Sequence, residues 1–220
     1  GNIHELALGE ITSCARTTAG VECWGDNAFG QFGSGENSNA PVVTAAVTIE
    51  NRTHSFNYLT AGNEGLFCGS TTNDLHCWGR LDEENNGMDL EGNEGQWSNV
   101  PVQIDRPMQE PPGPQFGSPR QIAADAYSVC AVFGEGQRQT SVGCLGSNAH
   151  GQINPSVFDR AVSHQLHMTH PNVDAITGLA MKNGRACLLT TVGEVFCWGS
   201  GNHDEMGATS TVDHFEPNDN

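Results

Sequence analysis

The chain has 220 residues, with 26 Asp and Glu against 9 Lys and Arg, a formal charge of −17. Nucleic acid and anionic membrane surfaces are bound by clustered Lys and Arg, and a chain with one lysine, Lys182, and eight scattered arginines excludes both as partners. Charged residues at 16% fall below the ~25% of an average domain while glycine, at 27 residues, exceeds its usual share; no apolar run approaches the ~20 residues of a membrane helix.

The first predicted element is the short apolar segment Leu6-Ala7-Leu8-Gly9, which precedes Cys14 and Cys23. A Gly-rich segment follows, Gly25-Asp26-Asn27-Ala28-Phe29-Gly30-Gln31-Phe32-Gly33, and then a strand start at Pro41-Val42-Val43. Asn51-Arg52-Thr53 is a glycosylation acceptor. The next apolar segment, Leu59-Thr60-Ala61-Gly62, leads to Cys68 and Cys77, which flank a turn at Thr72-Asn73-Asp74. Gly79-Arg80-Leu81 then opens an acidic loop over residues 82–94, followed by Trp97, a strand start at Pro101-Val102-Gln103-Ile104, and a Pro-rich insertion over 107–114. Ile122-Ala123-Ala124-Asp125 precedes Cys130 and Cys144, and Gly146-Ser147-Asn148-Ala149-His150-Gly151-Gln152-Ile153 repeats the first Gly-rich segment without gaps. Last come Leu179-Ala180-Met181-Lys182, then Cys187 and Cys197 around a turn at Val192-Gly193, and the looser Gly-rich segment from Gly199 to Gly207.

The eight cysteines therefore fall into four local couples, none of them Cys-x-x-Cys, so zinc ribbons and thioredoxin-like motifs lose their signature. Each couple reads as two strands clipped by a disulfide, because directly opposed residues of an antiparallel pair come within disulfide reach. Four disulfides imply an oxidising compartment and a secreted or extracellular protein. Gly1 and its neighbours lack a basic start and a continuous apolar stretch, which reads as a mature or trimmed chain.

The run from Cys14 to Gly33, Cys-Ala-(x)n-Gly-x-x-Cys-Trp-Gly-x-Asn-x-x-Gly-Gln-x-Gly, resembles the repeat of the regulator-of-chromosome-condensation β-propeller superfamily in its disulfide-bearing extracellular form. The resemblance extends over nearly the whole chain. It departs most at Gly79 to Gly87, which keeps only the end glycines, and at Leu145, which stands where the other repeats have Trp24, Trp78 and Trp198. It implies an all-β, four-repeat propeller with one hairpin disulfide per blade, in one domain spanning residues 1–220. Counted from Gly to Gly, the units are 25–78, 79–145 and 146–198, and residues 199–220 with 1–24 make a fourth. The expectation is a ring closed by a blade built from both termini. Members of this superfamily usually have seven blades, so four is a departure.

Function classes are narrower than the scaffold. No Gly-x-Ser-x-Gly, phosphate loop or His-Glu-x-x-His occurs, and cysteines held in disulfides are not nucleophiles, so the expectation is a protein without catalytic residues. Trp97, outside the repeat register in a polar segment, reads as an exposed binding residue, and Phe29, His150 and His203 occupy equivalent turn positions that would line one face. Asp82, Glu84, Asn86 and Asp89 resemble the first half of a calcium loop, although the closing Glu94 falls at position 13 and nothing helical flanks it; the competing reading is a solvated acidic loop. His164, His167 and His170 would converge on a metal only if their segment were helical. No cofactor other than calcium is implied. The expected role is to bind another protein or copies of itself, with a calcium-dependent carbohydrate-binding module as the alternative.

Overall fold

The computed structural model describes residues 2–37, 48–49, 52–53, 55–72, 74–81, 97–104, 119–126, 128–133, 141–148, 150–153, 161–167, 176–200 and 212–214. All regular structure there is β, and among these residues no helix is long and apolar enough to cross a membrane. Four sheets follow one another along the chain. Sheet I contains β1 (Ile3–Leu8), β2 (Thr12–Thr17) and β3 (Gly20–Gly25). A two-residue pair, β4 (Thr48–Ile49) with β5 (Arg52–Thr53), separates it from sheet II, made of β6 (Tyr58–Ala61), β7 (Leu66–Ser70), β8 (Leu75–Arg80) and β9 (Trp97–Ile104). Sheet III holds β10 (Gln121–Asp125), β11 (Ser128–Phe133), β12 (Ser141–Ser147) and β13 (Ala161–His167). Sheet IV holds β14 (Ile176–Lys182), β15 (Arg185–Thr190), β16 (Val195–Gly199) and β17 (Val212–His214), the last parallel to β16.

The cysteines set the register inside each sheet. Cys14 opposes Cys23, Cys68 opposes Cys77, Cys130 opposes Cys144 and Cys187 opposes Cys197. All four couples are disulfides, with Cα atoms 4.1, 4.1, 4.0 and 4.1 Å apart. The small residue before each hairpin then pairs onto the first cysteine, as Ala7 does with Cys14, Ala123 with Cys130 and Ala180 with Cys187. Small side chains beside a disulfide leave that face flat enough for another sheet to lie on it.

Strand alternation gives every sheet two faces. We call the disulfide side the back. The front carries the inner-strand apolar residues and the position after the second cysteine, as in Leu59, Ala61, Phe67 and Trp78 of sheet II. Three cores form, each from the back of one sheet and the front of the next. Ala7, Cys14, Val21 and Cys23 meet Leu59, Phe67 and Trp78; Leu66, Cys68 and Cys77 meet Ala124, Val129 and Leu145; Cys130, Val132, Val142 and Cys144 meet Leu188, Phe196 and Trp198. Phe56 stacks on Trp78 at 5.5 Å between ring centroids. Each large apolar side chain buried here contributes about 1.5–3 kcal/mol. A partly exposed ion pair such as Arg16–Glu5 contributes at most about 1 kcal/mol, so packing holds the sheets together.

The inner strands lie side by side, β1 against β6, β6 against β10 and β10 against β14. Their ends approach so closely that a Cβ on Gly62 would sit 2.1 Å from the carbonyl oxygen of Asp125. Only glycine fits there. The Gly184 amide donates to the buried Asp125 carboxylate, and Lys182 Nζ and Asn63 Nδ2 donate to Asn63 Oδ1 and Asn183 Oδ1, each at 3.2 Å. Glu5 Oε2 accepts from the Leu59 amide at 2.7 Å and from Arg16 Nε at 3.1 Å, bridging sheets I and II.

Two expectations change. Residues 1–24 and 199–220 do not share a sheet among the described residues: β1 to β3 stand as sheet I, and residues 212–214 add to sheet IV. Each inner strand pairs with the hairpin that directly follows it, so the structural unit starts at the small-residue strand and not at the glycine after the tryptophan. The segment of His164 and His167 is a strand, β13, with His164 opposite Cys144, so the helical arrangement that would gather three histidines is not formed. His170 lies outside the described residues.

Replacing Cys68 and Cys77 together by Ser removes a crosslink over a separation of 9 residues. Urea unfolding should show a loss of about 2–3 kcal/mol, and an unchanged midpoint would mean that β7 and β8 are held by packing alone.

Candidate functional site

The Gly-rich turns explain the repeat at the level of single hydrogen bonds. In the first, Asn27 is fully buried, and its Oδ1 accepts from the Phe32 amide at 2.9 Å while its Nδ2 donates to the Glu36 carbonyl at 2.8 Å. Gln31 Oε1 accepts from the Phe29 amide at 2.8 Å, and Gln31 Nε2 donates to Asp26 Oδ2 at 3.0 Å. The turn is thus wound around two side-chain amides. Its outward-facing carbonyl, that of Gln31, accepts the indole Nε1–H of Trp78 at 2.9 Å. The second turn repeats the arrangement. Asn148 Oδ1 accepts from the Ile153 amide at 2.8 Å, Gln152 Oε1 from the His150 amide at 2.9 Å, and the Gln152 carbonyl from Trp198 Nε1 at 2.8 Å. Each turn therefore latches the front of the next sheet.

The latch also aims residue 29. Gly30 has φ 73°, and a Cβ there would lie 2.4 Å from Asn99 Cα, so the turn is pressed onto β9. Asn99 Nδ2 donates to the Gly35 carbonyl at 3.0 Å, and the Gly35 amide donates to the Asn99 carbonyl at 2.7 Å. Phe29 is left 38% exposed, with the Arg80 guanidinium carbon 5.3 Å from its ring centroid. Arg80 Nη1 donates to Glu64 Oε2 at 3.2 Å, and Arg80 is paired in register with Trp97, itself 39% exposed. Val100, also 39% exposed, lies farther along β9 beside Gly35. One half-exposed ring, Phe29, thus lies under the Arg80 guanidinium, and a second half-exposed aromatic residue, Trp97, is its neighbour across the strand pair, at the junction of sheets I and II. Such a guanidinium stacks on a flat group while keeping its charge.

One other place is weaker. A cleft of about 220 Å³, lined by His4, Arg16, the 17–21 turn, Ser55 and Phe56, lies between sheets I and II. Among the described residues, no three His, Cys, Asp or Glu side chains are grouped to hold a metal ion.

No protein-family model matches the chain, and no curated protein matches it. Solved structures do. Prp20p of Saccharomyces cerevisiae superposes with a TM-score of 0.67 at 16% identity, over 96% of this chain and 47% of that one. Human WBSCR16 gives 0.63 at 16% identity, over 90% and 47% respectively. The CRINKLY WD40 ectodomain of the Arabidopsis thaliana receptor kinase ACR4 gives 0.50 at 17% identity, over 91% and 54%. The fold is that of the RCC1-type β-propeller. The chain spans about half the length of the solved RCC1-type chains it matches, and the four sheets are four blades.

In the propeller, two predicted binding residues lie next to Arg80, Phe29 under its guanidinium and Trp97 opposite it in register, although Trp97 begins strand β9 and is not in a loop. His150 occupies the position of Phe29 at the junction of blades III and IV, exposed and packed on the Gly184 backbone. His203, Asn51, Asp82, Glu84, Asn86 and Asp89 lie outside the described residues. Trp78 and Trp198 are core residues, 0% and 2% exposed, whereas Trp24 is 41% exposed, because no turn is seated on it among the described residues. Sequence reasoning passed over Arg80. It stands where the repeat departs from its pattern, and nothing local marks it as the partner of Phe29, 51 positions earlier.

Trp78→Phe and Trp198→Phe keep the ring in the core but leave a buried carbonyl without its donor. Each should cost about 1–3 kcal/mol in urea unfolding; a loss below about 0.5 kcal/mol would show that the indole bond contributes nothing to the latch.

Proposed function

We propose that this chain is a secreted, non-enzymatic protein-binding propeller that recognises its partner through the Phe29–Arg80–Trp97 surface. The observation that carries the reading is Arg80 stacked over half-exposed Phe29, with half-exposed Trp97 opposite it in register. Trp and Arg are the residue types that dominate binding energy at protein interfaces, and here both are held by a scaffold, so little side-chain entropy is lost on docking. One fold neighbour, yeast RCC1 (Prp20), is described in two structures by what it binds: Kap60 in one, and Gsp1p and histones in the other. Those partners belong to that protein, and what carries over is the use of the scaffold for protein recognition.

The oxidising compartment is supported by the four disulfides, which leave no free cysteine, and by a receptor ectodomain among the fold neighbours. The charge of −17 favours a basic partner and raises its encounter rate at low salt. In this reading the blades belong to a closed ring, the arrangement that leaves a propeller only short, protected edges.

The test is a photo-crosslinking residue placed at Trp97, with a control at Gln103 farther along β9, in the medium where the protein is secreted. Position 97 should capture a protein that position 103 does not. Arg80→Ala and Trp97→Ala should each weaken binding of that protein by about tenfold or more, with the unfolding midpoint shifted by less than about 1 kcal/mol. Unchanged affinity in both variants would overturn the reading.

A further inference from the structure

The three blade contacts repeat one arrangement, back of one blade against front of the next, and the arrangement leaves two faces over. On the front of blade I, Leu8, Ser13 and Trp24 are in register, as are Leu6, Ala15 and Glu22. Leu6, Leu8 and Trp24 are 56%, 65% and 41% exposed, whereas Leu59 and Trp78, their counterparts in blade II, are 4% and 0% exposed. On the back of blade IV, Ala180, Cys187 and Cys197 are in register, as are Gly178, Leu189 and Val195. Leu189 is 41% exposed and Ala180 is exposed. The other three disulfides lie inside blade cores, and Cys187–Cys197 belongs to none of them. Burial along the strands marks the same ends: every residue of β7 and β11 is buried, whereas β15 alternates and β1 is buried only at Ala7.

We propose that the front of blade I is covered by the back of blade IV of a second copy, so that two chains close one eight-bladed ring. The occupant is specified by the contact already present three times. A front with Leu and Trp meets a back with a disulfide and small residues, and each chain leaves one of each outside its three blade cores. Exposure of Leu6, Leu8 and Leu189 together shows that the two faces do not cover each other within one chain. Eight blades lie within the range propellers adopt. Such a pairing is head to tail, and it forms two identical interfaces when it closes. Each copy carries −17, so association strengthens as salt screens the repulsion.

Light scattering after gel filtration, at low and raised salt, tests this on the purified chain. Twice the chain mass is expected, with more dimer at raised salt. Leu8→Glu on the front and Leu189→Glu on the back should each give monomer, with an unchanged circular dichroism spectrum as the folding control. Mixing the two variants should restore a dimer, because a mixed pair keeps one unmutated front against one unmutated back. A monomer under all conditions, with Trp24 fluorescence quenched by iodide or shielded within one chain, would overturn the proposal. So would a dimer that survives Leu189→Glu, since a front-to-front pair does not use that residue.

Discussion

An indole N–H donated to the carbonyl of the preceding Gly-rich turn keeps consecutive blades in register, and most of the repeat exists to present that carbonyl. Apolar packing alone would let one sheet slide over another, because burial is proportional to area and has little direction. The bonds from Trp78 to Gln31 and from Trp198 to Gln152 supply the direction. For each to form, the turn must hold its shape without strands to support it. Buried Asn27 and Asn148 achieve this by standing in for the missing backbone partners of Phe32 and Ile153. The sequence Gly-x-Asn-x-x-Gly-Gln is in this sense half of a joint, and the Trp after the next disulfide is the other half.

The junction of blades II and III shows what happens when one half is lost. The turn that begins at Gly79 has neither the Asn nor the Gln of the repeat, and the hairpin that would receive it has Leu145 in place of Trp. An indole there would need an acceptor for its N–H, and burying it without one costs about 1–3 kcal/mol. A leucine avoids that cost. Leu81, at the start of the same altered segment, enters the core with Leu145. Arg80, the last residue of β8 before the altered segment, lies over Phe29, which puts the proposed recognition surface beside this irregular joint.

Much of this architecture was legible from residue spacing. Four cysteine couples of similar separation, each preceded by small residues and followed by glycine, predict hairpins, disulfides and their order, because those features depend on neighbours close in the chain. What was not legible depends on residues brought together from afar. Phe29 and Arg80 meet through the joint between two blades, and no local pattern near either one announces the other. The boundaries of the repeat were also displaced: a period can be cut at any phase, and only strand pairing shows that the unit begins at the small-residue strand. Trp24 is the clearest case. Its sequence context matches Trp78 and Trp198, yet its environment differs because it sits on the first blade, where no earlier turn reaches it among the described residues.

The disulfides join strands within a blade and never one blade to another. Eight cysteines can pair in 105 ways, and this chain uses the one in which every cysteine takes its next neighbour along the sequence, at separations of 9, 9, 14 and 10 residues. Each crosslink can therefore close as soon as its own hairpin has emerged, before the next couple is made. Oxidation in order of synthesis then leads to the native set, and the chain has little need of disulfide reshuffling to reach it.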